Sequence, residues 1–298
     1  VNRTVLYYYF WFMLQNHATL QQTRFYLLQE LGRKCPEGES ASLARIILDH
    51  TGYPPSTYLK DPDQVPGPVT VAQINEIVSE IHTGKPIQYI LGYTYFCDMK
   101  ITLNKSVLIP RPETEEMVYK IIIHCFRPPI NILDIGTGSG CIALALKDRF
   151  KEATIYGLDV SRKALEVASE NGVMNELDVN WIEKDIMREA TLNGENGFDL
   201  IVRNPPYVLN SERAIMNDNV LDYEPVDALF VEDSDPLVFY RTIASFSKKQ
   251  LNEKGTVWVE INEQLGTETA SLFEKAGFQN VTILKDIHEK ERFIRAEK

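Results

Sequence analysis

The sequence is poor in cysteine and in positive charge, and it has no long hydrophobic run. Its four cysteines lie far apart in 298 residues and form no CxxC pair, which argues against a zinc site or a disulfide framework and suits a reducing cytoplasm. The net charge is −11 and no long Lys/Arg run occurs, so a partner held mainly by its phosphates would meet a repulsive field. We therefore expect a cytoplasmic protein, with each cysteine in its core, that does not bind nucleic acid directly.

A strongly apolar stretch, Val5–Leu14, is only ten residues long. It is too short to span a bilayer, and it lacks the basic region and the small-residue cleavage site of a signal peptide. We therefore expect no membrane association. Two interpretations of the stretch stay open: a buried first helix, or residues that are not native because the start codon was assigned too far upstream.

The first part of the chain has the hydrophobic period of helices. From Leu20 to about His82, apolar residues recur at helical spacing. A loop with five prolines interrupts this pattern at residues 51–68. The pattern predicts a small all-helical domain over residues 1–86.

After this domain, the spacing of apolar residues changes from that of helices to that of strands. Residues 87–110 predict a β-hairpin linker, and residues 111–123 predict an amphipathic helix with acids in its first turn. Beyond Arg127, strands and helices alternate and the tail resembles a hairpin, so residues 111–298 predict an α/β domain: a doubly wound, Rossmann-like, mostly parallel sheet with a C-terminal antiparallel hairpin. The predicted strands are INILDIG, ATIYGLDV, VNWIEKD, FDLIVRN and GTVWVEI, and the predicted helices are Cys141–Phe150, Arg162–Asn171, Leu237–Leu251 and Gly266–Ala276.

Three glycines lie between the first strand and the first helix of this sheet. Gly136, Gly138 and Gly140 form a GxGxG loop together with Thr137 and Ser139. Glycines allow a tight turn and let a ligand approach the backbone at the first crossover. The loop fits nucleotide-like ligands in general and does not separate a nicotinamide cofactor from S-adenosylmethionine. It could also serve only to pack the helix on the strand.

Acidic residues end the next two strands. Asp159 ends the second strand, where a carboxylate can accept hydrogen bonds from both ribose hydroxyls of a bound adenosine. Asp185 ends the third strand and could receive the adenine amino group, with Ile186 packing on the ring. Alternatively, Asp159 could cap the helix that begins near Ser161, and Asp185 could be an ordinary surface acid.

The fourth strand ends in Asn204, Pro205, Pro206 and Tyr207, next to the first strand and therefore in the crevice where ligands bind. The nitrogen of a planar NH2 group is a weak nucleophile, because its lone pair is delocalised. The side-chain oxygen of Asn204 and the carbonyl of Pro205 can each accept one N–H, aim the nitrogen at an electrophilic methyl group and stabilise its growing positive charge. The prolines fix the direction of the carbonyl, and Tyr207 offers a face for stacking. This chemistry needs no metal and no covalent nucleophile.

In their order along the chain, these motifs resemble those of a known family. GTGSG, Asp159, NPPY and IPRPETEEMV are similar to the HemK/PrmC-type protein-glutamine N5-methyltransferases, and the similarity covers nearly the whole chain. GKPIQYILGYTYF resembles the segment that joins the two domains of that family, and YEPVDALF and DPLVFYRTI resemble the segments that come after NPPY. NPPY alone also occurs in enzymes that methylate adenine or guanine amino groups. PRPETE together with NPPY is much more specific.

The resemblance implies S-adenosyl-L-methionine as the methyl donor and the glutamine of the Gly-Gly-Gln motif in bacterial peptide chain release factors as the substrate. It also implies that the helical domain recognises the protein substrate, and we expect a monomer. The predicted cofactor site consists of Gly136, Thr137, Gly138, Ser139, Gly140, Asp159, Asp185, Ile186 and Asn204. The predicted glutamine site consists of Asn204, Pro205, Pro206 and Tyr207, of which we expect three to be catalytic: Asn204, Pro205 and Tyr207.

Some residues depart from the family pattern, and other functions compete. Arg203 stands where the family commonly has a small residue such as Ser, Ile186 occupies a position that is often aromatic, and Val5–Leu14 has no counterpart. A nucleic-acid amino-methyltransferase acting on adenine N6 or guanine N2 would use NPPY on an extruded base, but the net charge and PRPETE disfavour it. A nicotinamide-dependent oxidoreductase would explain the glycines and Asp159 but would leave NPPY without a role. The intact motifs disfavour a catalytically silent binding module.

Overall fold

The computed structural model describes residues 18–35, 37–125, 127–189, 191–192 and 197–298. The apolar stretch Val5–Leu14 lies outside the described residues. The chain divides into two compact units, Val1–Leu91 and Gly92–Lys298.

The first unit is helical where it is described. Its helices are α1 (Leu20–Leu31), α2 (Glu37–His50), α3 (Pro55–Tyr58), α4 (Pro68–His82) and α5 (Ile87–Leu91). Thr19 forms a capping box with Gln22 at the start of α1, and α3 and α4 begin with proline, whose fixed φ suits the first helical position. Helix α3 lies within residues 51–68, where the sequence predicts a loop without a helix. The unit extends five residues beyond the predicted residue 86, because Ile87 is buried in the helical core.

The second unit contains a mixed seven-stranded sheet. Its strands are β3 (Asn131–Ile135), β4 (Thr154–Asp159), β5 (Asn180–Glu183), β6 (Phe198–Arg203), β9 (Leu251–Glu260), β10 (Gln279–Lys285) and β11 (Glu291–Glu297). They lie in the order β10-β11-β9-β6-β3-β4-β5. The pairs of β3 with β4 and β6, of β4 with β5 and of β6 with β9 are parallel, whereas β11 pairs antiparallel with β9 and β10. The predicted fold class is thus confirmed, including the C-terminal hairpin.

Helices follow the strands of this sheet as the alternating pattern predicts. The longer ones are α6 (Pro112–His124), α7 (Cys141–Arg149), α8 (Arg162–Met174), α10 (Val238–Gln250) and α11 (Gly266–Lys275), with the short α9 (Asp218–Tyr223). Large side chains of strands and helices form one core, among them Phe198, Tyr240, Phe246 and Phe273. The two neighbours of β3 lie on its opposite sides, so the chain changes direction there and opens a crevice at the carboxyl ends of β3, β4 and β6.

Two small ribbons, one antiparallel and one parallel, complete the second unit. Strands β1 (Tyr93–Phe96) and β2 (Met99–Thr102) form the predicted hairpin, and β7 (Val208–Leu209) pairs in parallel with β8 (Phe230–Val231). The side chain of Asn171 in α8 accepts from the Thr102 N–H at 2.7 Å and donates to its carbonyl at 3.0 Å. The hairpin is therefore attached to the second unit.

The cysteines are less buried than we expect from the sequence. Cys141 is buried, but Cys35, Cys97 and Cys125 are half-buried, and all four are free thiols. Burial is the main cause that raises the pKa of Cys97 and of Cys141 to about 12, so both stay protonated at neutral pH. Within the described ranges, no helix has the length and apolar character needed to cross a membrane.

Candidate active site

A cavity of about 390 Å³ lies in the second unit, at the carboxyl ends of β3, β4 and β6. Most of the predicted site residues line it, and the segments 106–111 and 225–228 form further parts of its wall. The predicted residues at the cavity are Gly136, Thr137, Gly138, Ser139, Asp159, Asp185, Ile186, Asn204 and Pro206. The predicted residues that do not line it are Gly140, Pro205 and Tyr207. The structure thus brings the glycine loop and the NPPY motif to one cavity.

The glycine loop uses its glycines for two different purposes. Gly138 has a φ of +55°, and a Cβ placed on it would meet nothing within 4 Å, so the loop is open at this position. Gly140 has a φ of +82°, and a Cβ there would lie 2.9 Å from the ring of Trp181. Gly140 is therefore required for the packing of α7 against α8 and β5, and its predicted contact with a cofactor stays a prediction.

Asp159 is the last residue of β4 and holds the glycine loop in place. Its Oδ2 accepts from the Gly138 N–H at 2.9 Å, and its Oδ1 accepts from the Ser161 N–H at 2.9 Å. Ser161, rather than Asp159, caps α8, because its hydroxyl accepts from the Ala164 N–H. Each carboxylate oxygen has a second lone pair, so Asp159 can still accept hydrogen bonds from a ligand in the cavity.

Asp134 is a buried acid beside the glycine loop that the sequence analysis missed. It lies in β3, fully buried, and its Oδ2 accepts from the Thr137 hydroxyl at 2.6 Å. Burial, with a smaller contribution from the charge of Asp159, raises the pKa of Asp134 to about 7. Its signal in the sequence is weak, because an aspartate before a glycine loop is also an ordinary turn residue.

Asp185 and Ile186 lie at the other end of the cavity, beyond β5. Asp185 is engaged locally, because its Oδ1 accepts from the Met187 N–H at 2.8 Å and its Oδ2 lies 3.3 Å from Arg188. Ile186 is buried and packs with the core of the sheet while it also lines the cavity. Both residues line the cavity, and their predicted roles in binding adenine stay predictions.

Asn204 follows β6 and belongs to a chain of hydrogen bonds. Its Nδ2 donates to the Thr114 hydroxyl at 2.9 Å. Thr114, in the first turn of α6, in turn donates to Oε2 of Glu260 at 2.8 Å. One N–H of the Asn204 side chain is therefore used within the protein, and its carbonyl oxygen is an acceptor available at the cavity.

Glu260, the last residue of β9, is fully buried and accepts two hydrogen bonds in this network. Its Oε1 accepts from the Tyr207 hydroxyl at 2.7 Å. Burial raises the pKa of Glu260, while the hydrogen bonds from Tyr207 and Thr114 lower it. The pKa of Tyr207 is raised well above its usual range by burial and by the charge of Glu260, so its hydroxyl remains a donor. Tyr207 holds the network together, and its predicted stacking on a substrate stays a prediction.

Thr114 and Glu260 were missed as functional residues by the sequence analysis. Thr114 lies in the PRPETE segment, which the sequence analysis used as a family motif and as a helix start without giving Thr114 a role. Glu260 ends an apolar strand, as Asp159 does, and an acid at a strand end in such a sheet is the signal that would have found it. Nothing local in the sequence, however, connects either residue with Asn204.

Another buried carboxylate, Glu224, ties two walls of the cavity together. Glu224 accepts from the Ile109 N–H at 3.2 Å and from the Arg111 guanidinium at 2.6 Å. The first wall belongs to LIPRPETE and the second to YEPVDALF, two segments that the resemblance singles out. Their pairing shows that both segments build one cavity.

The fold and the cavity define a Rossmann-like methyltransferase. The family model described as methyltransferase small domain matches residues 119–221. A methyltransferase from Pyrococcus furiosus has a TM-score of 0.50 and 19% identity, covering 74% of this chain and 96% of its own, which shows the shared fold. Enzymes of this class use S-adenosylmethionine in general.

The particular family follows from curated relatives. The chain is 45% identical over 286 residues to a release factor glutamine methyltransferase of Flavobacterium psychrophilum, covering 93% of this chain and 98% of the relative. It is 35% identical over 272 residues to the protein of the same name in Bacteroides thetaiotaomicron, covering 91% and 97%. The chain belongs to the family of release factor glutamine methyltransferases.

Proposed function

We propose that this protein transfers a methyl group from S-adenosyl-L-methionine to the side-chain amide nitrogen (N5) of the glutamine in the Gly-Gly-Gln motif of peptide chain release factors. The names of the relatives support the release factor and its glutamine as the substrate. The Gly-Gly-Gln motif comes from the family resemblance. The helical unit is the part that recognises the protein substrate.

The residues at the cavity fit the proposed cofactor. S-adenosylmethionine supplies a methyl group on a positively charged sulfur. Asp159 accepts hydrogen bonds from the ribose hydroxyls while it anchors the Gly138 N–H, and the open face at Gly138 leaves room for the ligand to approach the backbone. Asp185 and Ile186 serve the adenine end, and the remaining residues of the loop complete the contact.

The orientation of Asn204 is the observation that carries the proposal. Its NH2 group donates to Thr114, so its carbonyl oxygen accepts an N–H of the glutamine amide. By the sequence argument the Pro205 carbonyl accepts the other N–H, although Pro205 itself does not line the cavity. The rigid Pro205-Pro206 corner fixes the direction of that carbonyl. Two fixed acceptors stabilise the positive charge that grows on the nitrogen as the methyl group is transferred. The S–CH3 bond of the cofactor would break as the N–CH3 bond forms, which leaves S-adenosylhomocysteine, and the alkylated nitrogen would then lose a proton to water to give the neutral N-methyl amide.

Mass spectrometry of a purified release factor tests this function. After incubation with the protein and S-adenosylmethionine, we expect one additional methyl group on the peptide that contains Gly-Gly-Gln, located at the glutamine by fragmentation. A release factor with this glutamine replaced by alanine is the control and should stay unmodified. Transfer to duplex or single-stranded DNA at a comparable rate, measured with tritium-labelled cofactor, would support a nucleic-acid amino-methyltransferase instead.

A further inference from the structure

Arg203 is a buried cation at the wall of the cavity. It is the last residue of β6, only 9% exposed, and it lines the cavity next to the glycine loop. Its Cζ lies 3.6 Å from the position that a Cβ on Gly136 would occupy, and 5.7 Å from the centre of the Phe239 ring. Gly136 therefore leaves room for this guanidinium, and the aromatic ring supports it from the other direction.

The guanidinium has donors that the protein does not use. Within the described part of the chain, no side-chain hydrogen bond and no salt bridge involves Arg203, and its Nε is buried without a partner. The carboxylates of Asp159, Asp134 and Asp185 favour its charge from a distance, while burial is the main cause that lowers its pKa to about 10. Arg203 is thus charged at neutral pH. Leaving such donors unpaired in a buried place is costly, so a ligand that accepts from them would bind favourably.

The other cations among the described residues that line the cavity already have partners. Arg111 pairs with Glu224 at 2.6 Å, and Lys184 pairs with Glu189 at 2.6 Å. Asp159, Asp185 and Asp227 also line the cavity, and they disfavour a ligand with more than one negative charge. The ligand group that fits Arg203 is therefore a single small anion, planar enough to accept from the guanidinium fork.

We propose that Arg203 binds the carboxylate at the amino-acid end of S-adenosylmethionine, with two parallel N–H···O hydrogen bonds. This inference rests on the proposed function, because that function supplies the cofactor. The adenosine part carries no anion, so the carboxylate is the group of the cofactor that a guanidinium recognises. The inference gives a role to the residue that departs from the family pattern, where a small side chain is common.

Calorimetry with two ligands tests the contact without any methyl transfer. The first is S-adenosylhomocysteine, and the second is its decarboxylated analogue S-adenosyl-3-thiopropylamine, which keeps the adenosine, the thioether and the ammonium group. We expect the wild-type protein to bind S-adenosylhomocysteine about 10- to 100-fold more tightly, the range of a charge-assisted hydrogen-bonded pair. In Arg203→Met, the preference should fall to about threefold or less because the first ligand binds more weakly.

Lys184→Met is the matched control, since it removes a cavity-lining cation that is already paired. It should keep the wild-type preference. An unchanged preference in Arg203→Met would overturn the inference. If that variant does not fold, as judged by circular dichroism, the wild-type protein still decides: equal affinity for both ligands overturns the inference. A wild-type protein that binds neither ligand would instead contradict the proposed function.

Discussion

On one side of the cavity, polar contacts join residues close in sequence, whereas on the other side they join distant ones. The glycine-loop side comprises Asp134–Gly140 and Asp159, whose hydrogen bonds with side chains span 2, 3, 21 and 32 positions. The NPPY side comprises Asn204, Thr114, Glu260 and Tyr207, whose hydrogen bonds span 53, 90 and 146 positions. The first side is formed by one strand–loop–helix unit and its neighbouring strand, and the second side requires the complete sheet.

Because of this difference, we expect substitutions on the two sides to have different effects. Under the proposed function, a change on the glycine-loop side acts on a local turn and on cofactor binding. A change on the NPPY side acts mainly on the orientation of the substrate amide, although Asn204 also belongs to the predicted cofactor site. We therefore expect cofactor affinity to respond to the first side and the transfer rate to respond to the second.

Asn204→Ala should have the largest effect, because it removes the acceptor that positions the substrate amide. Loss of one preorganised group costs on the order of 3–4 kcal/mol, or about 100- to 1,000-fold in the rate of methyl transfer. Single-turnover transfer to a release factor measures this rate. A near wild-type rate would show that NPPY is only a turn.

Asn204→Asp sharpens the same point. The carboxylate keeps an acceptor for the substrate but has no N–H to donate to Thr114, whose own hydroxyl proton is given to Glu260. We expect partial activity, above that of Asn204→Ala. Activity below that of Asn204→Ala would contradict a role of the residue as an acceptor.

Asp159→Ala should weaken the binding of S-adenosylhomocysteine by on the order of 2–3 kcal/mol, about 30- to 150-fold in the dissociation constant. Two losses contribute, because the ribose hydroxyls lose a charged acceptor and the Gly138 N–H loses its anchor. Calorimetry measures this constant. Arg162→Ala, at an exposed position of α8, is the control and should bind normally. An unchanged constant in Asp159→Ala would remove Asp159 from the site.

Thr114→Val should lower the maximal transfer rate with little change in cofactor affinity. The valine keeps the shape, but Asn204 and Glu260 each lose a hydrogen bond, which costs about 1–2 kcal/mol, or roughly 5- to 30-fold in rate. Thr269→Val is a matched control, since the Thr269 hydroxyl is buried without a partner. A rate that falls equally in both variants would mean that the effect is a general loss of packing.

A further prediction concerns the free energy of unfolding as pH changes. The pKa of Asp134 is raised from 3.8 to about 7 in the folded protein. Between these values the folded state holds a proton that the unfolded state has lost, so this group's stabilising contribution is present at low pH and disappears as pH rises to about 7. Asp134→Asn should remove this slope, which is at most about 1.4 kcal/mol per pH unit.

Urea unfolding at several pH values between 4 and 8 measures that slope. Asp199→Asn is the control. The pKa of Asp199 is lowered in the folded protein, because hydrogen bonds from Asn252 and from the backbone of Asn131 and Ile130 outweigh burial. Asp199 therefore contributes stability that is present above pH 3.8 and lost below it. A pH slope that is the same in wild type and Asp134→Asn would contradict the assignment to Asp134.

The sequence predicts the alternating strands and helices because their periods are local properties of the chain. It also predicts the glycine-loop side, since the glycines and Asp159 follow strands directly. It does not predict that Asn204, Thr114 and Glu260 meet, because this depends on how β6, β9 and α6 pack. Nor does it predict that Tyr207 turns its hydroxyl to a buried acid instead of lining the cavity. These contacts are long-range, and a single sequence carries no local signal for them.

Strand β11 lies in the interior of the sheet, between β10 and β9, although it follows every other described strand along the chain. During synthesis, which proceeds from the N-terminus, β9 therefore keeps one unpaired edge until β11 has emerged. That edge includes Glu260, which pairs with Phe293. An open apolar edge invites pairing with other chains. The strands next to the glycine loop are thus made early in synthesis, whereas the sheet that carries Glu260 is complete only when the last strand has been made.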